Sequence, residues 1–455
     1  MDQLKAKIHF IAIGGSIMHS LAIALSKVGY QVSGSDDEIY EPSKTNLEKH
    51  GLLPKNGWDP DKITSDLEAV ILGMHAKEDN PELKKAKELG LPVLSFPDYI
   101  FKNSIDKQRV VIAGSHGKTT ITSIITHILN YWKRDFDYAI GAAIPGLDNQ
   151  IKLSDAPLII IEGDEYFSSA EDKTSKFLKY QHHIVLISGI AWDHINAFPD
   201  IDIYTNQFDK LADSTPKAGA LVYCEEDSLA SIVGTKERND VKQVDYGTPR
   251  YEIIDGKYCL FDDQNIPVPV NLIGRHNMQN IDGALKVLLQ LGITKSMFFE
   301  AIQTFEGAWK RLELVAENDQ STVYTDYAHA PSKVSATIEA VSEFHPRSKI
   351  YACLELHTYS SLNKDFISQY KNKFALADEV YFFINPKAMA LKNIEITKEE
   401  IQTLTGVKNS RVFTNKEELS AALSDNKPDS GVLLFMSSGN FNGLDLKNEA
   451  VKFTS

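Results

Sequence analysis

Two glycines followed by a lysine and two threonines, Gly114-Ser115-His116-Gly117-Lys118-Thr119-Thr120, form the chain's most chemically suggestive segment. A glycine turn at a helix N-terminus lets backbone N–H groups face an anion, and the helix dipole adds to the attraction. In such a loop Lys118 reaches the β and γ phosphates of a nucleotide and Thr119 offers its hydroxyl to Mg²⁺. The full phosphate-loop pattern places a glycine at 112, where Ile112 stands, so a chance glycine turn competes with this reading. The flanks favour the phosphate loop. Arg109-Val110-Val111-Ile112-Ala113 reads as an entering strand, and Ile121, Ile124, Ile125, Ile128 and Leu129 recur at helical spacing behind it.

A second cluster follows the apolar run Pro157-Leu158-Ile159-Ile160-Ile161, which reads as a buried strand ending in Glu162-Gly163-Asp164-Glu165-Tyr166. Carboxylates just past the end of a parallel strand lie where such sheets bind ligands, and Mg²⁺ needs only one or two of them beside phosphate oxygens. A solvated acidic turn is the alternative. The run Ile184–Ser188 leads in the same way to Trp192-Asp193-His194, so Glu162 and His194 are expected to converge on one metal, while His182 and His183 read as structural.

These residues must be positioned by a larger frame, which the pattern divides into three blocks: 1–107, 108–306 and 307–455. The first has a strand at Ile8–Ile13, the turn Gly14-Gly15-Ser16, a helix through Leu21–Ser26 and a strand at Gln31–Ser33 leading to Asp36. Strand, glycine turn, helix, strand and acid make a βαβ nucleotide-binding opening, with the acid about 20 residues past the glycines, where a ribose hydroxyl lies. The third block has strands near Val323–Tyr327, Tyr351–Leu356, Val380–Ile384 and Val432–Met436 with helical stretches between them. The expected class is α/β with mostly parallel sheets.

Composition narrows the function. A formal net charge of −14 argues against a nucleic-acid partner, which requires a basic surface. Three scattered cysteines make neither a disulfide framework nor a thiolate metal site, and no apolar run reaches 18 residues, so no membrane span and a cytoplasmic location are expected.

Six segments in order make the resemblance specific: 114–120, 162–166, Asp193-His194, Gly274-Arg275-His276-Asn277-Met278-Gln279-Asn280, Lys310-Arg311-Leu312-Glu313 and Asp326-Tyr327-Ala328-His329-Ala330-Pro331. Together they resemble the Mur ligase family over essentially the whole chain. The resemblance implies three domains: a Rossmann-like one for a UDP-sugar (1–107), a central phosphate-loop ATPase (108–306) and a Rossmann-like one for the incoming amino acid or peptide (307–455). It further implies ATP and Mg²⁺, with Gly114, Ser115, His116, Gly117, Lys118, Thr119 and Thr120 on the phosphates. Thr119, Glu162 and His194 would serve the metal, Asn277 and Asn280 the adenine, Arg311 the γ-phosphate and Asp326 the ribose; Lys118, Glu162, His194 and Arg311 make the catalytic set. Gly14, Gly15, Ser16, Ile17, Met18 and Asp36 would hold the UDP-sugar.

The resemblance implies activation of a muramoyl carboxylate as an acyl phosphate and its capture by an amine. Phe208 stands near the position where several members carry a carbamoylated lysine, and Lys210 is displaced from it, as in the muramate-binding branch. Within that branch the turn Ala12-Ile13-Gly14-Gly15-Ser16-Ile17-Met18 and the segments Asp172–Phe177 and Met436–Gly443 are similar to the members that add the tripeptide L-Ala-γ-D-Glu-meso-diaminopimelate to UDP-N-acetylmuramate. Leu356-His357-Thr358-Tyr359-Ser360 is instead similar to the members that add L-alanine. The tripeptide is the expected amine and L-alanine the alternative. A catalytically idle paralogue and a dinucleotide-dependent oxidoreductase are the other readings; the intact catalytic set opposes the first, and the missing third glycine with a second phosphate loop opposes the other.

Overall fold

A computed structural model describes residues 6–74, 76–142, 144, 146–192, 197–307, 311–425 and 430–455. Each block contributes one parallel-dominated sheet, so the α/β class holds. The first has four strands in the order Gln31–Ser35, Lys7–Ile11, Leu67–Leu72, Val93–Ser95, all parallel. The second has seven, ordered Lys242–Tyr246, Ala220–Cys224, Ile184–Ile187, Gln108–Ala113, Leu158–Glu162, Asp137–Ala139, Ile151–Lys152, with the last pair antiparallel. The third has six, ordered Glu313–Glu317, Ser321–Asp326, Gly431–Met436, Lys349–Leu356, Glu379–Ile384, Ser410–Phe413, and its first pair is antiparallel.

Parallel strands covered on both faces cannot alternate apolar and polar residues, which is why their sequences run continuously apolar. Val110–Ala113, Ile159–Ile161 and Val185–Ile187 are all buried. A run this apolar places polar residues only where a strand ends, and that is where Glu162 and the loop after Ala113 stand.

By packing, the chain forms two compact units: Met1–Ile190, Asp202–Tyr246 and Gly283–Ile293 in one, and Ala191–Ile201, Gly247–Asp282 and Thr294–Ser455 in the other. Within the first unit the four- and seven-stranded sheets are tied by Ser20 Oγ donating to Gln150 Oε1 (2.6 Å) and Asn149 Nδ2 donating to the Ser20 carbonyl (2.8 Å). Within the second, the three-stranded antiparallel sheet Tyr251–Ile254, Lys257–Phe261, Pro267–Val270 packs on the helix Pro331–Phe344, where Tyr251 and Tyr258 both donate to Glu343 (2.7 and 2.6 Å).

The first strand stops at Ile11, two residues before the expected end, because Ala12 takes φ 66° and both Ala12 and Ile13 donate to the Ser35 carbonyl. That bend turns the chain out of the sheet and into the glycine turn. The three cysteines are buried and unlinked, and no helix among the described residues is long and apolar enough to cross a membrane.

Candidate active site

The loop after Gln108–Ala113 needs glycine at two places. Gly114 has φ 124°, and a Cβ there would lie 2.1 Å from Ser188 Oγ; Gly117, at φ 74°, caps the helix Lys118–Tyr131. Ile112 remains in register with Glu162 and Leu186 and is fully buried, so the missing first glycine of the pattern falls on ordinary strand backbone. The end of the neighbouring strand holds the loop: Ser115 N–H donates to the Gly189 carbonyl (2.9 Å), and the Ser188 hydroxyl meets the His116 carbonyl.

Lys118 heads the helix with its ammonium donating to the Gly114 carbonyl (2.6 Å) and to Glu165 Oε2 (2.7 Å). The other oxygen of the buried Glu165 accepts from the Tyr204 hydroxyl (3.1 Å), which lies 2.8 Å from Ser115 Oγ. Burial works to lower the Lys118 pKa, but the carboxylates of Glu165, Asp164 and Glu162 outweigh it and hold the ammonium above its ordinary value. Thr119 Oγ1 donates to Glu162 Oε1 (3.0 Å), and Gly141 N–H donates to Glu162 Oε2 (3.3 Å).

A threonine hydroxyl and a carboxylate this close beside a phosphate loop are the hard-oxygen pair that Mg²⁺ takes, with waters and phosphates completing its shell. Gly141 keeps the approach narrow, since a Cβ there would lie 3.3 Å from Glu162 Oε1. Among the described residues no three His, Cys, Asp or Glu side chains converge as a metal cage. Asp193 and His194, expected as the other half of the metal site, lie outside the described residues.

A cavity of about 320 Å³ opens beside Glu162, lined by the turn 15–18 of the first sheet, Phe96, Glu162, Asp164, Lys176 and others. The first glycine turn and the acidic strand end 162–164, far apart in sequence, thus line one space. Asp36 stands beneath the first turn: it is 4% exposed and its Oδ2 accepts from Gly14 N–H at 2.7 Å. A Cβ at Gly14 would lie 2.9 Å from that same oxygen, so glycine is needed there for close approach. Asp36 therefore shapes the turn. Lys176, which sequence reasoning assigned no role, reaches the cavity and donates to Asp164 Oδ2 (2.5 Å). Burial pushes the Asp164 carboxyl up, but Lys176, aided by Lys118, holds it below its ordinary value.

Phe208 is fully buried, with its ring centroid 5.2 Å from Phe177 and 5.3 Å from Tyr204, so its position is filled by an aromatic core contact; Lys210 is exposed. His182 is buried against Thr215 Oγ1 (2.9 Å) and His183 accepts from Arg109 N–H (3.0 Å), both structural as expected.

In the second unit Asn277 and Asn280 are buried one turn apart on the helix Arg275–Gln290, and Asn280 Nδ2 donates to Asn277 Oδ1 (3.2 Å). The segment is helical from Arg275, where its residues alone read as a polar turn. Asp326 accepts from the amides of Leu312 and Ala328 (both 2.7 Å), and Arg311 lies over the Tyr327 ring at 4.7 Å. Asp326 thus fixes Leu312 at φ 46° and, with it, the residue next to Arg311. Lys310 lies outside the described residues, and His329 Nδ1 lies 2.9 Å from the Tyr327 carbonyl.

The comparisons agree with this architecture. The Mur ligase family catalytic domain matches residues 7–102, the Mur ligase middle domain 112–288 and the Mur ligase glutamate ligase domain 310–439. UDP-N-acetylmuramate–L-alanine ligase of Caldicellulosiruptor bescii is 31% identical over 82% of this chain and 82% of that protein. UDP-N-acetylmuramate–L-alanyl-gamma-D-glutamyl-meso-2,6-diaminoheptandioate ligase of Escherichia coli (strain K12) is 27% identical over 97% of each. The solved UDP-N-acetylmuramate–alanine ligase of Thermotoga maritima shares the fold with a TM-score of 0.73 at 20% identity, covering 99% of this chain and 98% of that one. With three consecutive domain matches and a relative this similar over most of its length, the chain belongs to the Mur ligase family, whose members are ATP-dependent ligases that form C–N bonds.

Proposed function

We propose that this ligase joins the tripeptide L-alanyl-γ-D-glutamyl-meso-diaminopimelate to UDP-N-acetylmuramate in the cytoplasm, with ATP as the energy source. Residues 1–107 take the UDP-sugar through the turn 14–18 and Asp36, 108–306 take ATP, and 307–455 take the amine. The single observation that carries the reading is the meeting of Lys118, Thr119, Glu162 and Glu165 at one helix head, beside a cavity that the first glycine turn also lines.

The lactyl carboxylate of the sugar attacks the γ-phosphorus of ATP in line, breaking the bond to the β-phosphate bridge and releasing ADP. The amine then adds to the acyl phosphate carbonyl, loses a proton, and inorganic phosphate leaves with the electrons of the broken C–O bond. Carboxylate and triphosphate repel, so the cost falls on the cations around them. Lys118 turns to the phosphates, while Glu165, itself bonded to Tyr204, keeps its ammonium charged and in place. Thr119, Glu162 and His194 would hold Mg²⁺, which when bound would supply further positive charge. Arg311 serves the γ-phosphate, Asp326 the ribose, and Asn277 and Asn280 the adenine.

The tripeptide is favoured over L-alanine by the bulky Ile17 before Met18 and by the segments 172–177 and 436–443. L-alanine is the second reading, supported by Leu356–Ser360 and by the C. bescii relative. Purified protein with ATP, Mg²⁺ and UDP-N-acetylmuramate is offered the tripeptide or L-alanine, and phosphate release is followed. Faster release with the tripeptide is expected. Preference for L-alanine overturns the choice of amine, and no release with either overturns the ligase reading.

A further inference from the structure

The cavity beside Glu162 is electrostatically hostile to an acid. It carries the carboxylates of Glu162 and Asp164, and Lys176 is the one basic side chain among its described lining residues. Lys118 is engaged with Glu165 and the Gly114 carbonyl, on the phosphate-loop side. A sugar-borne carboxylate entering the cavity therefore needs a counter-charge of its own. From this geometry we infer that Lys176 is the residue that receives the carboxylate of the acid substrate and holds it next to Glu162 before phosphoryl transfer. The inference rests on the proposed reading of the cavity as the seat of a UDP-linked acid.

The chain is built to deliver this ammonium. Between Tyr166 and Lys176 it makes a closed excursion: Ser168 N–H and Oγ both donate to the Thr174 carbonyl (2.9 and 2.7 Å), Asp172 N–H donates to Ser169 Oγ (3.0 Å) and Thr174 N–H to Asp172 Oδ1 (2.9 Å). Lys179 then anchors the far side on Asp172 and on Asp98 (3.5 Å). Lys176 returns with its own N–H on the Tyr166 carbonyl (2.9 Å). Asp164 fixes the direction of the side chain, since Oδ1 accepts from Tyr166 N–H (3.0 Å) while Oδ2 takes one ammonium proton. An ammonium has three, so two stay available to a carboxylate without breaking the pair. The Lys176 side chain is 16% exposed, sheltered enough for a charge-assisted bond to count.

Specificity follows from the same geometry, because a UDP-sugar without an acid gains nothing from Lys176. Binding of UDP-N-acetylmuramate and of UDP-N-acetylglucosamine, which lacks the lactyl acid, is measured by calorimetry for the full chain and for Lys176→Met and Lys176→Arg. Lys176→Met is expected to weaken the acid-bearing ligand about 10- to 100-fold. The acid-free ligand should stay within about twofold, which also reports that the fold is intact. Lys176→Arg should recover most of the loss, and in turnover the KM for UDP-N-acetylmuramate should rise while that for ATP holds. Equal weakening of both ligands, or of neither, overturns the role of Lys176. Failure of the unaltered chain to bind either UDP-sugar overturns the reading of the cavity itself, a result recognisably different from the other two.

Discussion

Glu162 and Glu355 occupy equivalent places in two different sheets: each stands at or next to the last residue of a buried parallel strand, Leu158–Glu162 and Lys349–Leu356. Their surroundings differ. Glu162 is half-buried, faces a cavity and meets the Thr119 hydroxyl and the more distant Gly141 amide. Glu355 is 1% exposed and faces protein throughout, accepting from Ser437 Oγ (2.5 Å), Phe441 N–H (2.8 Å) and Asn385 Nδ2 (2.8 Å). A Cβ at Gly439 would lie 2.7 Å from one of its oxygens. The end of a parallel strand is thus a place for a carboxylate, and what lies beyond the oxygens decides its work. With open space there, the charge is held ready for a cation; with a full set of donors, it ties the segment 437–443, including Phe441 and Asn442 at φ 50° and 54°, to the neighbouring strand ends.

Substitution should separate the two. Glu162→Gln keeps an acceptor for Thr119 but removes the charge, and phosphate release should fall by about 10²–10³-fold with the urea midpoint unchanged. A variant with normal turnover would place the working carboxylate elsewhere. Glu355→Ala strands three donors inside the protein and should cost about 3 kcal/mol in urea unfolding, while Glu355→Gln, which restores one acceptor, should cost less. If Glu355→Ala unfolds at the same midpoint as the unaltered chain, the donor argument is wrong.

Acid exposes a background that such measurements must avoid. Burial, with His183 and Arg109 adding to it, pulls the His182 pKa down from 6.5 to about 3. The unfolded chain therefore binds a proton between these values that the folded chain refuses, so stability is full above pH 6.5 and declines as pH falls toward 3. The loss should reach about 2 kcal/mol by pH 5, and His182→Gln should remove that part of the slope. An unchanged slope in His182→Gln would assign the acid sensitivity to the carboxylates, and both carboxylate variants are best compared above pH 7.

The phosphate loop was legible because its requirements are local: glycine at the positive-φ positions 114 and 117, a strand before and a helix after. Glu162 was legible for a related reason, as a charge that ends an unbroken apolar run. Lys176 was not, since its place depends on the Ser168–Thr174 turn bringing the chain back to Tyr166. Glu355 was hidden inside a strand pattern that reads as ordinary sheet, because its donors come from Asn385 and from residues 437–441, far away in sequence. Asn277 and Asn280 could be picked out by resemblance alone; helical spacing brings them together, but spacing does not say what they meet. Asp36 was read as an acid offered to a ribose; one of its oxygens accepts from the Gly14 amide, a contact within the turn that no spacing rule reveals.

The bracing of the loop 114–117 by Ser188 and Gly189 has an energetic consequence. A loop whose backbone is already held by an adjoining strand surrenders little freedom to an anion that binds it, so the entropy that a floppy turn would forfeit is retained as affinity. The sheet, assembled once during folding, does the ordering that would otherwise recur in every catalytic cycle.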